Sequence, residues 1–206
     1  PCWVYSRYAL EAALDEFQQV LDGFDSLICY AVKANSNLAV LGVFACRGAG
    51  FDIVSGGELK RVLAVGADPR RIVFSGVGKT AAEMELALAA GILCFNVESA
   101  AELERLDAVA GRLGKTAPIS LRVNPDVDAR THPYVSTGLK ENKFGVAYDA
   151  ALPLYRQAAS LENVRICGID CHIGSQLMDA APFAEALDKV LLLVDGLAAE
   201  GIVLEH

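Results

Sequence analysis

The chain has 206 residues, 53% hydrophobic and 21% charged, with 26 acidic against 18 basic side chains and a net charge of −8. That balance excludes a disordered chain and speaks against nucleic acid as a partner. The densest apolar run, Val190–Val194, falls far short of the roughly 20 residues of a membrane span, so no membrane partner is expected. No basic segment followed by an apolar one marks secretion, and Pro1 in place of methionine suggests a piece of a longer chain. Cys2, Cys29, Cys46, Cys94, Cys167 and Cys171 form no C-x-x-C pair. Four of them, Cys29, Cys94, Cys167 and Cys171, lie in apolar runs, where cysteine behaves as a small hydrophobe. No metal site is expected, and a reducing cytoplasm is.

Ser26–Val32 is the first strand-like run and Phe51–Val54 the second, after which Ser55-Gly-Gly-Glu58 opens a helical pattern over Leu59–Val65. Arg71–Phe74 follows, then Thr80-Ala-Ala-Glu83 heading a helix over Ala81–Ala90. Ile92–Val97 and Ser99-Ala-Ala-Glu102, heading Ala101–Leu113, repeat the arrangement. Ile119–Val123, a helix over Ala150–Leu161, Val164–Cys171, a helix over Phe183–Ala199 and Ile202–Leu204 complete the series. The three Ser/Thr-x-x-Glu elements read as capping boxes, and Gly50, Gly66, Gly91, Gly114 and Gly201 fall where C-terminal helix caps belong.

Near-continuous apolar strands alternating with helices predict a parallel α/β sheet buried on both faces. An open doubly wound sheet and most of a (β/α)₈ barrel both fit. No strand end carries G-x-G-x-x-G, and seven similar units in a row favour the barrel, incomplete at about seven strands. Asn124–Asn142 is the one long polar interruption, a length that points to a functional or disordered loop.

In a barrel, chemistry collects where the strands end. Those positions hold Lys33, Asp52, Ser75 with Gly76, Asn96, Arg122 with Asn124, and His172 followed by Gly174 and Ser175. Lys33 ends an apolar strand, where loss of water favours the neutral amine able to attack a carbonyl. A lysine that only snorkels to solvent is the plainer reading of the same position. His172 has a structural histidine as its plainer reading, Asp52 a turn cap, and Arg122 an ion-pair partner. His132 reads equally as an exposed loop residue.

Tyr30-Ala-Val-Lys33-Ala-Asn35 resembles the cofactor-lysine motif of the fold-type III pyridoxal-phosphate decarboxylases, and Asp52 with Val54-Ser-Gly-Gly-Glu-Leu59 resembles their next strand end. Arg122-Val-Asn-Pro-Asp-Val127, Thr131–Gly138, Asn142-Lys-Phe-Gly145 and Cys171-His-Ile-Gly-Ser-Gln-Leu177 are similar to the diaminopimelate decarboxylase branch, in order along essentially the whole chain. The resemblance implies a barrel of the alanine racemase/decarboxylase type and a lyase decarboxylating meso-diaminopimelate to L-lysine. It implies pyridoxal 5'-phosphate held covalently by Lys33, with His172 stacked on its ring. Gly174 and Ser175 would hold its phosphate, and Asp52 would lie near Lys33. Arg122 would line the pocket, and Ala31, on Lys33's side of the strand by period two, would leave room for the ring. The partners implied are a small-molecule amino acid and a second copy of the enzyme. Ornithine, arginine or a carboxylated polyamine as substrate, or a silent regulatory barrel, remain open beside this reading.

Family members continue past this point with a Gly-rich phosphate loop, an acidic group facing the pyridine nitrogen and a C-terminal β-domain. Residues 1–206 therefore read as a cofactor-binding barrel truncated at its C-terminal end, expected to have little activity alone.

Overall fold

The computed structural model describes residues 1–127, 144–175 and 177–206; the Thr131–Gly138 element, His132, the first two residues of Asn142–Gly145 and Gln176 lie outside them. The chain divides into two units, Pro1–Leu93 and Cys94–His206.

The first unit opens with α1 (Arg7–Val20), capped by the Ser6 hydroxyl, which accepts from the Ala9 amide at 3.2 Å. It continues through β1 (Cys29–Ala31), a 3₁₀ turn at Val32–Ala34 and α2 (Leu38–Cys46). β2 (Gly50–Ile53), α3 (Gly56–Ala64), a 3₁₀ turn at Pro69–Arg71, β3 (Ile72–Phe74) and α4 (Ala81–Ala90) follow. The strands pair in parallel, Ala31 opposite Asp52 and Asp52 opposite Val73, so all three end at one edge of the sheet. Phe51, Ile53, Ile72 and Phe74 are fully buried, each contributing about 1.5–3 kcal/mol by leaving water. Gly50 is the first residue of β2 rather than a helix cap. A Cβ there would stand 2.6 Å from the Arg71 carbonyl and 2.7 Å from Cys29 Sγ, so close backbone approach is what requires glycine.

The caps show a variation on the expected boxes. Thr80 and Glu83 form the full reciprocal pair, at 3.3 and 3.0 Å. At α3 the Ser55 hydroxyl accepts from the Glu58 amide, but the Glu58 carboxylate accepts from Val54 N–H at 2.8 Å, one residue earlier than a box requires. Glu83 does more than cap its own helix: it also accepts from Gly56 N–H at 2.8 Å, joining the starts of α3 and α4. The Gly56 and Thr80 amides hold its carboxyl below the usual carboxylate range.

The second unit runs β4 (Cys94–Val97), α5 (Ala100–Arg112), β5 (Ala117–Asn124), β6 (Val146–Ala147), α6 (Tyr148–Ala159), β7 (Val164–Cys171) and α7 (Ala181–Ala199). Every residue of β4 is buried, as a strand covered on both faces must be. β5 is central, with Leu121 opposite Val97 on one edge and Ile169 on the other. Past Val97 the first edge passes to β6, with Val146 opposite Val123. Ile119 pairs with Ile166 but Ser120 with Gly168, which leaves Cys167 as the surplus residue of a bulge, a device that redirects a side chain. α5 repeats the shifted cap: Ser99 accepts from the Glu102 amide while Glu102 accepts from Glu98 N–H at 3.0 Å.

Ile202–Leu204 is not the strand expected. Ile202 N–H donates back to Leu197 O as α7 ends, and pairing with β7 begins later, through the Glu205 and His206 amides on Cys167 O and Ile169 N–H on His206 O. Seven parallel strands are nevertheless present among the described residues, because two-residue β6 was not foreseen. No described helix is long and apolar enough to cross a membrane, and all six cysteines are free thiols.

Candidate cofactor-binding site

Lys33 sits in the Val32–Ala34 turn, one step beyond the strand that was expected to carry it. The side chain is exposed, so the loss of water expected at an apolar strand end is not found. Since β1 stops at Ala31, period-two alternation does not carry through to Lys33, and the shared side inferred for the two residues does not follow. The motif around Lys33 has a different physical content. The Tyr30 hydroxyl donates to Asn35 O at 3.3 Å, closing the turn around the lysine, and its ring stacks on Phe44 at 4.2 Å. Asn35 Oδ1 then accepts from Asn37 N–H and Asn37 Oδ1 from Ala39 N–H, leading into α2. The amine thus stands outside a turn whose two flanks are tied down. A cavity of about 430 Å³ beside this turn is lined by Asn35, Asn37, Tyr5 and Arg7.

Asp52, the partner of Ala31 in register, accepts from the Ser75 hydroxyl at 2.6 Å. Ser75 is buried and Asp52 half-buried, so this strand-end carboxylate is braced by a neighbouring strand end. Sequence reasoning missed Lys79, which is only 3% exposed. Its ammonium donates to Gly76 O at 2.7 Å and lies 5.7 Å from the Phe74 ring centroid. A lysine four residues past a strand-end serine was the available signal.

In the second unit Arg122 is the hub. Its guanidinium meets Glu98 at 3.2 Å and Asp170 at 4.0 Å, and stands 5.8 Å from the Phe144 ring centroid. The ion-pair reading of Arg122 is therefore what the geometry realises, and Glu98 and Asp170 are the residues overlooked. Alternation from Asn96 to Glu98 was the signal for the first. The Glu98 side chain is 1% exposed and that of Arg122 14%, so the pair is largely removed from water. His172 is half-buried directly after β7. Ile173 anchors the segment by packing with Val127 and Ala186. Gly174 has φ 147°, which suits glycine, and Ser175 is exposed. A further cavity of about 320 Å³ lies at the end of β5, lined by Asn124, Pro125 and Asp126 of the Arg122–Val127 element together with Tyr148 and Lys189.

Each unit carries groups that a phosphorylated aldehyde could use: the first an accessible amine and a braced carboxylate, the second an imidazole and a hydroxyl next to a glycine.

A profile of the family described as pyridoxal-dependent decarboxylase, pyridoxal binding domain, matches residues 7–206. The diaminopimelate decarboxylase of Neisseria meningitidis serogroup B is 61% identical over all of this chain and 50% of its own length, and that of Pseudomonas aeruginosa 60% over the same shares. The crystal structure of diaminopimelate decarboxylase from Helicobacter pylori complexed with L-lysine superposes with a TM-score of 0.95 at 48% identity, covering 97% of this chain and 51% of that one. The expected fold class, an α/β barrel of the decarboxylase type, is shown by this match. The chain spans about half the length of the curated relatives it matches.

Proposed function

From a chain that belongs to the pyridoxal-dependent decarboxylase family, as its pyridoxal binding domain, we propose that Lys33 holds pyridoxal 5'-phosphate for the decarboxylation of meso-diaminopimelate to L-lysine. The observation carrying this is the Tyr30–Asn35 closure, which presents an exposed amine on a fixed turn. When bound, the cofactor supplies a ring that takes up the electrons released as carbon dioxide leaves. The chain's own residues bind and orient. Lys33 takes the aldehyde end, and Ala31 contributes a small side chain at the end of β1. Asp52, oriented by Ser75, supplies a fixed negative charge. His172 offers a flat face for the ring. Gly174 and Ser175 offer backbone and hydroxyl donors for the phosphate. Arg122, held by Glu98 and Asp170, keeps its guanidinium in one place. The six free thiols support a reducing, cytoplasmic setting; a homodimer is supported by the family resemblance alone.

Borohydride reduction in the presence of the cofactor, followed by peptide mapping, tests the assignment. The label is expected on Lys33, and a label on Lys60, Lys79 or Lys143 overturns it. Carbon dioxide release by the protein carrying this chain tests the substrate. The expectation is kcat/KM for meso-diaminopimelate far above that for ornithine or lysine, and comparable values would remove the substrate from the proposal while leaving the Lys33 assignment standing.

A further inference from the structure

We propose that Cys94, Cys167 and His206 form a binding site for a zinc-type divalent cation, away from the strand ends that carry the cofactor residues. One ligand atom from each, the two sulfurs and a ring nitrogen, lies within 4.8 Å of the others. Cys167 Sγ stands 4.0 Å from His206 Nε2. Tetrahedral zinc with sulfur at about 2.3 Å and nitrogen at about 2.0–2.1 Å holds its ligand atoms roughly 3.5–3.8 Å apart. Closing the site therefore takes shifts of well under an ångström in some directions and about one in others, within reach of side-chain rotation.

Three independent features of the second unit build this arrangement. Cys94 is the first residue of β4 and is buried. Cys167 is the surplus residue at the β5–β7 register shift, buried, with its sulfur turned toward Ile119 O at 3.1 Å. His206 lies against Gly168, where a Cβ would stand 2.6 Å from the imidazole; only glycine leaves the ring its place. Backbone bonds from His206 to Cys167 O and from Ile169 to His206 O hold that residue in register with β7.

A disulfide is the competing use of two nearby thiols. Cys94 and Cys167 lie on strands flanking β5 on opposite edges rather than on adjacent paired strands, and both thiols are free. Unstrained disulfides need Cα atoms about 4.4–6.8 Å apart, a constraint that a bridging cation does not impose. Two thiols and an imidazole are the donor set of zinc and cadmium rather than of magnesium or calcium. On coordination each thiol loses its proton to solvent, the Cys94 thiol leaving Asn96 Oδ1 and the Cys167 thiol leaving Ile119 O. The two thiolates and the dication then balance in charge, which suits a buried position, and the fourth coordination position stays open for water. Cys167 precedes His172 by five residues, about 15 Å along an extended strand, which keeps the thiol apart from the His172 imidazole.

The test uses the reduced chain with exposed Cys2 and Cys46 replaced by serine, titrated with cobalt(II) alone. Expected are one equivalent bound, a near-ultraviolet sulfur-to-cobalt charge-transfer band, and displacement of the band by zinc. C94S and C167S should each weaken binding by more than the roughly 10–100-fold that loss of a supporting partner costs, and H206Q should weaken it while keeping the charge-transfer band. Folding of each variant is checked by circular dichroism. Should a cysteine variant not fold, X-ray absorption on the zinc-loaded chain decides: two sulfurs near 2.3 Å and one imidazole nitrogen support the site. Absence of the charge-transfer band, a band unchanged in C94S or C167S, or a shell with fewer than two sulfurs overturns it.

Discussion

The strand ends of the two units handle charge in opposite ways. In the first, Lys33 stands exposed on a turn closed by its neighbours Tyr30 and Asn35, and Asp52 accepts from the Ser75 hydroxyl. In the second, Arg122 is clasped between Glu98 and Asp170 with little access to water. Under the roles proposed above, a lysine that forms and releases a covalent bond would need a free head and a rigid stem, whereas an arginine that sets the local field would be best fixed in advance. Stability and chemistry should therefore separate between the units, and variants that break the contrast are ordered below by the size of the expected effect.

Glu98→Ala should be the most damaging. It leaves the Arg122 guanidinium with the Asp170 carboxylate at 4.0 Å, in a site largely closed to water. Removing one member of a buried ion pair costs about 3–5 kcal/mol. Urea denaturation should show a loss in that range; a change under about 1 kcal/mol would place the pair among exposed ones.

Glu83→Gln probes the first unit's internal brace. The carboxylate accepts from Gly56 and Thr80 amides, and its folded pKa lies below the usual value of 4.5. A depressed carboxyl stabilises the fold above the unfolded value and loses that contribution as pH falls through the folded one. At pH 7 the variant should be weaker by about 1 kcal/mol, the ordinary size of a helix cap. The difference should shrink below about pH 4, as the native carboxyl protonates and both proteins carry a neutral group. A gap that does not narrow as pH falls from 7 through the usual value of 4.5 and below would remove charge from the explanation.

The contrast also marks what the residues disclosed before the fold was known. The βα grammar was legible because strands covered on both faces are apolar throughout, as in Cys94–Val97, and because Ser/Thr-x-x-Glu marks helix starts. α2 escaped notice because Leu38–Cys46 is apolar on nearly every side, so no 3.6-residue period shows. Two-residue β6 is too short for any pattern. Lys33, Asp52, Arg122 and His172 were singled out by asking which side chains end strands, and Lys33 lies in the turn just beyond its strand. Glu98 and Asp170 were not, since their importance lies in a pairing with Arg122 that joins residues 24 apart in sequence for the closer pair. The bulge at Cys167 and the place made for His206 by Gly168 are likewise products of register, which no single run of residues displays.

Tyr30→Phe sharpens the reading of the lysine turn. The ring stack on Phe44 is retained and only the bond to Asn35 O is lost. A neutral hydrogen bond of this kind contributes about 0.5–1.5 kcal/mol, and a bond of 3.3 Å belongs at the low end. Thermal unfolding should drop accordingly, and capture of the cofactor by Lys33 should slow because the turn is less fixed. An unchanged capture rate would mean that the stack on Phe44 suffices to hold the turn.

Lys33→Ala should have the smallest effect on stability and the largest on chemistry. The side chain is exposed and sits on a turn whose hydrogen bonds belong to Tyr30, Asn35 and Asn37. Substitutions at such surface positions usually change stability by no more than about 0.5 kcal/mol, and alanine is compatible with a 3₁₀ turn. The urea midpoint should therefore stay close to that of the parent while the borohydride-fixed label disappears. Arg122→Ala should do the reverse in kind, lowering the midpoint strongly through the charges of Glu98 and Asp170 left behind, with Lys33 still open to labelling. If Lys33→Ala lowered stability as much as Arg122→Ala, the lysine would be a structural element of its unit, and the division of labour between a free head and a locked field would fail at its first residue.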